Sequence, residues 1–316
     1  MYKSFFGLKE NPFNVNPDPR YLFFTKDIDE ALSGLMYGVQ NRKGFITLTG
    51  EVGTGKTTLV NRILEWLHQR RVSTAFLFNS RMNTNQLFDF ILAEFGIACE
   101  SRTKSQQLIQ LNQWLLERHR AGEIAVLIVD EAQNLTYPVL EEIRLLTNLE
   151  TSTEKLLQIV LSGQPELEEK LKLPQLRQLR QRIVLRCKTF PLTKEQTHDY
   201  IAERLRIAGT RGELIFSPQA VEAIHLYSSG IPRVINLLCE HSLINSYVEQ
   251  QRPITQKIVD DVAREFQLDE VEPTAPPRSM RIDAEVYSSE VFIQGLGEAL
   301  SRFRMSGYED TSPRKK

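Results

Sequence analysis

The sequence has 316 residues, 41% hydrophobic and 25% charged, which suits a globular protein of two ordinary domains. A formal net charge of −1 excludes a global field drawing the chain onto nucleic acid or an anionic membrane, so any such binding needs a local patch. No apolar run approaches bilayer length, no signal-peptide core follows Met1, and Cys99, Cys187 and Cys239 form neither a metal spacing nor a redox pair. The expected location is the cytoplasm, with a peripheral place at the inner membrane only through a partner.

Residues 1–26 read as an aromatic, proline-rich arm, with Phe5-Phe6-Gly7-Leu8, Asn11-Pro12-Phe13 and a proline-spaced stretch ending Tyr21-Leu22-Phe23-Phe24. The prolines bar a continuous helix, and so many rings must pack on something. The candidates are the base side of a nucleotide site, a neighbouring subunit or the chain's own core. Residues 27–41 follow as a helix with Leu32, Leu35, Met36 and Val39 on one face and Asp27 near its N-cap.

The run Phe45–Thr49 has the β-branched and aromatic residues of a buried strand. Gly50, Gly55, Lys56 and Thr57 then match G-x-x-x-x-G-K-[ST] at every fixed position, and Thr58 onward reads as a helix. Strand, glycine loop and helix together make a P-loop. Glycines let main-chain N–H groups turn inward on an anion, and the helix N-terminus adds its unpaired donors. The predicted nucleotide contacts are Gly50, Glu51, Val52, Gly53, Thr54, Gly55, Lys56, Thr57 and Thr58. Lys56 would reach the β- and γ-phosphates, and the Thr57 hydroxyl would bind Mg²⁺.

A second strand is predicted over 72–78, then helices over 84–95 and 105–120. The apolar run Ile124–Val129, suited to a strand covered on both faces, ends in Asp130-Glu131-Ala132-Gln133. This is the Walker B pattern: Asp130 would hold Mg²⁺, and Glu131 would act as general base on the attacking water. After a helix over 137–150, the strand over 156–161 ends Ser162-Gly163-Gln164-Pro165. A polar side chain at that tip would lie near the γ-phosphate, with Gln164 the first choice and Ser162 the second.

From Lys170 to Lys188 the chain carries seven basic residues and no acid: Lys170, Lys172, Arg177, Arg180, Arg182, Arg186 and Lys188. Three readings stand open: an arginine finger for a neighbour's nucleotide, a DNA-backbone surface, and a solvated face without a role. The last core strand is expected over 183–190. Past Pro191 helices are predicted over 193–208, 217–227, 231–249 and 255–266, punctuated by Gly209, Gly212, Gly230 and Pro253. The domain plan is thus arm 1–26, core 27–191, helical domain 192–266, linker 267–282 and tail 283–316. Arg233, at the start of the third helix, is placed to point across the interdomain cleft at the phosphates. In the tail, Phe292, Leu296, Leu300 and Phe303 recur at helical spacing, as a partner-binding element or a helix folded back on the body.

The chain resembles the AAA+ ATPases of the general secretion pathway protein A type, a branch similar to origin-recognition ATPases and transposon helper ATPases. The resemblance is carried by the arm motifs, the P-loop and Asp130-Glu131-Ala132-Gln133. Ser162-Gly163-Gln164-Pro165, Gln178-Leu179-Arg180-Gln181-Arg182-Ile183 and Gly230-Ile231-Pro232-Arg233 complete it, in that order over roughly residues 1–266. It implies an α/β P-loop NTPase with a five-stranded parallel sheet in the order 5-1-4-3-2 and a helical lid. It implies ATP and Mg²⁺ as ligands, sensor 1 at Gln164, sensor 2 at Arg233, and an arginine finger at Arg182, with Arg180 as runner-up. The expected function is ATP hydrolysis by a homo-oligomer joined at the finger's edge. Such an oligomer would serve secretion or envelope-polymer export through a partner docked on the tail. The rival is an ATP-switched scaffold on DNA.

Overall fold

The computed structural model describes residues 1–268 apart from 15, 17, 79, 80, 99–102 and 211. The predicted tail helix, nearly all of the predicted linker, Cys99 and Pro17 lie outside the described residues.

Five strands form one parallel sheet: β1 (Phe45–Thr49), β2 (Val72–Leu77), β3 (Ile124–Val129), β4 (Leu157–Gly163) and β5 (Leu185–Lys188). Their order is β2-β3-β4-β1-β5, the expected 5-1-4-3-2 seen from the other edge. Parallel register sets Thr49 opposite Gly163 and Val129 opposite Leu161, so β1, β3 and β4 end together. Consecutive residues face opposite sides. Ala125, Leu127, Val129, Leu157, Ile159 and Leu161 pack one face against α4 (Thr84–Glu94), α5 (Lys104–Arg120), α6 (Tyr137–Leu146), α7 (Pro165–Lys172) and α8 (Arg177–Arg182). Ile46, Leu48, Val126, Ile128 and Val160 are buried on the other face, where α2 (Lys26–Gln40) and α3 (Lys56–His68) lie. Cover on both faces is why these strands read as continuous apolar runs.

Element ends moved where a side chain caps a helix better than the periodicity suggested. The α2 helix starts at Lys26 because the Thr25 hydroxyl accepts the Ile28 N–H at 3.2 Å; Asp27 sits inside the first turn, where an acid suits the helix dipole. The α6 helix stops at Leu146, not Glu150, as the Thr147 hydroxyl turns back on the Arg144 carbonyl at 2.6 Å. The last strand runs over Leu185–Lys188 within the expected 183–190, and α8 over Arg177–Arg182 is a helix the sequence pattern did not show.

Beyond β5 come α9 (Lys194–Ile207), α10 (Pro218–Ser228), α11 (Pro232–Val248) and α12 (Gln256–Glu265). Thr193 and Gln196 close the predicted capping box on α9: the Thr193 hydroxyl accepts the Gln196 N–H at 3.2 Å, and the Gln196 carbonyl accepts the Thr193 N–H at 2.9 Å. The arm is part of this helical body. Tyr2, on the single-turn helix α1 (Tyr2–Phe5), joins Phe6, Leu8 and Phe13 in one buried cluster with Ile201, Ile224, Leu238 and Val259. The Arg252 guanidinium lies 3.8 Å over the Phe5 ring, and the Tyr2 hydroxyl donates to the Glu240 carboxylate at 2.7 Å. Of the three destinations considered for the arm, its first 13 residues therefore take the chain's own core, but that of the helical domain. Among the described residues no helix is long and apolar enough to cross a membrane.

Candidate active site

The loop after β1 follows a path only glycine allows. A Cβ on Gly50 would lie 2.1 Å from the Thr189 Oγ1 and 2.6 Å from the Thr189 carbonyl oxygen. Gly53 (φ 82°) and Gly55 (φ 95°) sit in the left-handed region that glycine enters without a steric penalty. Gly55 is the N-cap of α3, so the helix's unpaired N–H groups open onto the loop. The Thr54 and Thr189 hydroxyls, 2.7 Å apart, pin the loop to the chain leaving β5. Lys56 is buried, its Nζ donating to the Gly50 and Glu51 carbonyls at 2.7 and 2.9 Å. Burial pulls the ammonium's pKa down, and the charges of Glu131 and Asp130 oppose that pull.

The carboxylates stand at the end of β3, across β4 from the loop. Asp130 Oδ2 accepts the Thr57 hydroxyl at 3.4 Å, while Oδ1 takes the Ser162 hydroxyl at 2.7 Å and the Glu131 N–H at 3.0 Å. Thr57 and Asp130 thus bring together hard oxygen ligands of the kind Mg²⁺ prefers, and the residues fit that ion. Glu131 adopts a left-handed conformation (φ 52°, ψ 36°), uncommon for a residue with a side chain. Its Oε2 accepts from Gln164 Nε2 at 3.0 Å and from Gln133 Nε2 at 2.6 Å. The two candidates at the β4 tip divide the work: Ser162 holds Asp130 and Gln164 holds Glu131. Gln133 escaped the sequence reading, although its place two residues beyond Glu131 was visible.

A cleft of about 340 Å³ opens between the loop and the helical domain. Val52 to Thr58 and Glu131 line its core side; Arg233 and Asn236 line its helical side. The Arg233 N–H donates to the Gly53 carbonyl at 3.2 Å, and a Cβ on Gly53 would lie 2.7 Å from the Arg233 Cβ, so α11 rests directly on the loop. Tyr21, Leu22 and Phe23 of the arm make a third wall. Arg204, also unforeseen, ties that wall to α9. Buried, it donates from Nε to the Pro12 carbonyl at 2.5 Å and from Nη1 to the Tyr200 hydroxyl at 2.7 Å, and it lies 4.5 Å over the Tyr21 ring.

The basic run is divided between bonds to other elements and the surface. Lys170 donates to the main-chain carbonyls of Gln133 and Leu135, Lys172 pairs with Glu169, and Lys188 pairs with Glu168. Arg182 Nη1 donates to the Thr147 hydroxyl at 2.6 Å. Arg177, Arg180 and Arg186 donate no side-chain hydrogen bond among the described residues. Three of the seven side chains, those of Lys170, Arg182 and Lys188, are thus tied to other elements of the chain, while Lys172 forms an exposed pair on its own helix. Neither Arg180 nor Arg182 lines the cleft of its own chain.

The AAA domain family matches residues 39–171, a span that holds the P-loop, β3 with its carboxylates and the tip of β4. General secretion pathway protein A of Aeromonas hydrophila is 43% identical over 255 residues, which are 80% of this chain. Residues 39–171 thus carry an AAA domain. The chain spans 46% of the Aeromonas protein's length. Its fold is shared with Cdc6p of Pyrobaculum aerophilum (TM-score 0.63, 19% identity, 82% of this chain and 71% of that one). It is shared too with the Aeropyrum pernix ORC2 protein, solved as ADPNP-ADP complexes (TM-score 0.60, 17% identity, 81% and 72%). At these identities the two structures speak for the fold of the chain and not for its partners.

Proposed function

We propose that this chain binds Mg²⁺·ATP in the cleft and hydrolyses it as an oligomer. The observation that carries the reading is convergence. Lys56 and Thr57, Glu131, and the lid's Arg233 come from three separate stretches to line one opening; Asp130 joins them through Thr57 and Gln164 through Glu131, and the N-terminus of α3 opens onto the same loop. Loop amides and Lys56 hold the triphosphate. Thr57 and Asp130 hold Mg²⁺, which when bound neutralises charge on the β- and γ-phosphates. Glu131 orients the attacking water and takes its proton; Gln164 keeps that carboxylate in place. Arg233 answers the phosphates from the lid. Arg182 of a neighbouring copy, with Arg180 as the alternative, supplies positive charge as the γ-phosphoryl group leaves.

The work done with ATP is proposed as secretion or export of an envelope polymer, supported by the 43% identity to a protein named for the general secretion pathway. A DNA surface along 170–188 is the second reading, and three of the seven cations of that run are already tied to other elements of the chain.

Two variants test the site. Lys56→Ala is expected to abolish the heat of Mg²⁺·ATP binding in titration calorimetry. Glu131→Gln is expected to bind ATP with near-native affinity and to release phosphate on the order of 10²–10⁴ times more slowly, the usual worth of a general base. Normal turnover by Glu131→Gln, or no binding by the native chain, would falsify the proposal.

A further inference from the structure

We propose that Gln133, alongside Gln164, is a positioning residue for the Glu131 carboxylate, held in place by Lys170. The inference rests on the reading of Glu131 as the water-orienting base.

The donors and acceptors allow one arrangement. The Gln164 main-chain N–H can only donate, and it points at Gln133 Oε1, 3.1 Å away. The carbonyl end of the Gln133 amide is thereby fixed, so its NH₂ end must face the other way. There it meets Glu131 Oε2 at 2.6 Å. One amide therefore spans the ends of β3 and β4, reading the backbone of one and gripping the carboxylate on the other.

Space has been left for this amide. A Cβ on Gly163 would lie 2.9 Å from Gln133 Oε1, closer than side chains tolerate, so the glycine at the β4 tip makes room for the glutamine. Below it, the turn carrying Gln133 (Ala132–Asn134) is gripped by Lys170 of α7, whose ammonium donates to the carbonyls of Gln133 and Leu135. Burial lowers the Lys170 pKa, the cost of drawing a cation partly out of water.

The consequence for chemistry lies in which oxygen is left over. Glu131 Oε2 is occupied by two amide N–H groups, from Gln133 and Gln164. Oε1 accepts no hydrogen bond among the described residues, and Glu131 lines the cleft. The clamp thus selects Oε1 as the atom that takes the water's proton. It also opposes the freedom of a left-handed residue at the end of a strand, φ 52°. Without the clamp the carboxylate keeps its chemistry but loses its aim, and a misplacement of about 1 Å can cost on the order of 10²-fold in rate.

The test is a double-mutant cycle in the full chain, with Gln133→Met as a near-isosteric loss of both hydrogen bonds and Gln133→Glu as a second variant in case the first is unstable. In the native background each is expected to lower kcat roughly tenfold to a hundredfold. KM for ATP and the Kd of a fluorescent ATP analogue should stay within about twofold, since no phosphate contact is touched. In the Glu131→Gln background the same substitution is expected to cost nothing further, because the group it aims is already gone. The proposal is overturned if kcat stays within about twofold of native, if nucleotide affinity falls in step with kcat, or if the loss is the same in both backgrounds, as a purely structural role predicts. Failure of Glu131→Gln itself to slow turnover would instead remove the base assignment, so the two readings fail separately.

Discussion

At the scale of single residues, the site is set by what cannot fit as much as by what binds. Gly50 has oxygen atoms of Thr189 where its Cβ would go, one of them a main-chain carbonyl that cannot rotate aside. Gly50→Ala must therefore displace either the loop or the strand exit. A loss of ATP affinity of at least about tenfold is expected in calorimetry, with a lowered melting temperature, as strain at a fixed backbone position usually gives. Unchanged affinity would mean that the loop reshapes freely. The glycines and Lys56 were legible because the loop's demands fall on neighbouring residues. Gln133 and Arg204 were not. A glutamine after Glu131 and an arginine on an amphipathic helix look like surface residues until their partners arrive. Arg204 finds its partner, Pro12, 192 residues away.

At the scale of elements, the pattern was readable wherever the signal lies in neighbouring residues. β1, β3 and β4 are buried on both faces and so form unbroken apolar runs, and the capping box of α9 falls within four consecutive residues. The pattern failed for the arm, where irregular backbone leaves no period to read and the partner helices lie at the other end of the described chain. The arm's weight is measurable. Phe13 is fully buried, its ring 6.1 Å from that of Phe216 in an edge-on contact. Phe13→Ala is expected to destabilise the helical domain by about 3–5 kcal/mol, as for other buried phenylalanines. Denaturant unfolding followed by tyrosine fluorescence checks this. A cost below about 1 kcal/mol would show the arm to be an ornament on a self-sufficient domain.

At the scale of the whole molecule, one chain supplies every part of the proposed site except the arginine. Arg182→Ala should bind ATP normally yet hydrolyse it on the order of 10³–10⁵ times more slowly, as for other arginines supplied between subunits. Mixing gives the sharper result. Lys56→Ala copies hold no nucleotide but still carry Arg182, so adding them to Arg182→Ala copies should restore part of the phosphate release. No recovery would place the arginine's effect within its own chain, and the same mixture made with Arg180→Ala asks the question of the runner-up.

The pairing of Tyr2 with Glu240, across 238 residues, also orders events during synthesis. The arm is made before the sheet but finds its place after it, because the helices that receive it are made after the entire sheet. Long-range closure of this kind is slow and comes late. A nascent chain halted after β5 would own a P-loop and both carboxylates, yet its N-terminal rings would have nowhere to settle and the cleft would lack two of its three walls. Competence to grip a nucleotide would then arrive all at once, when the arm meets the late helices.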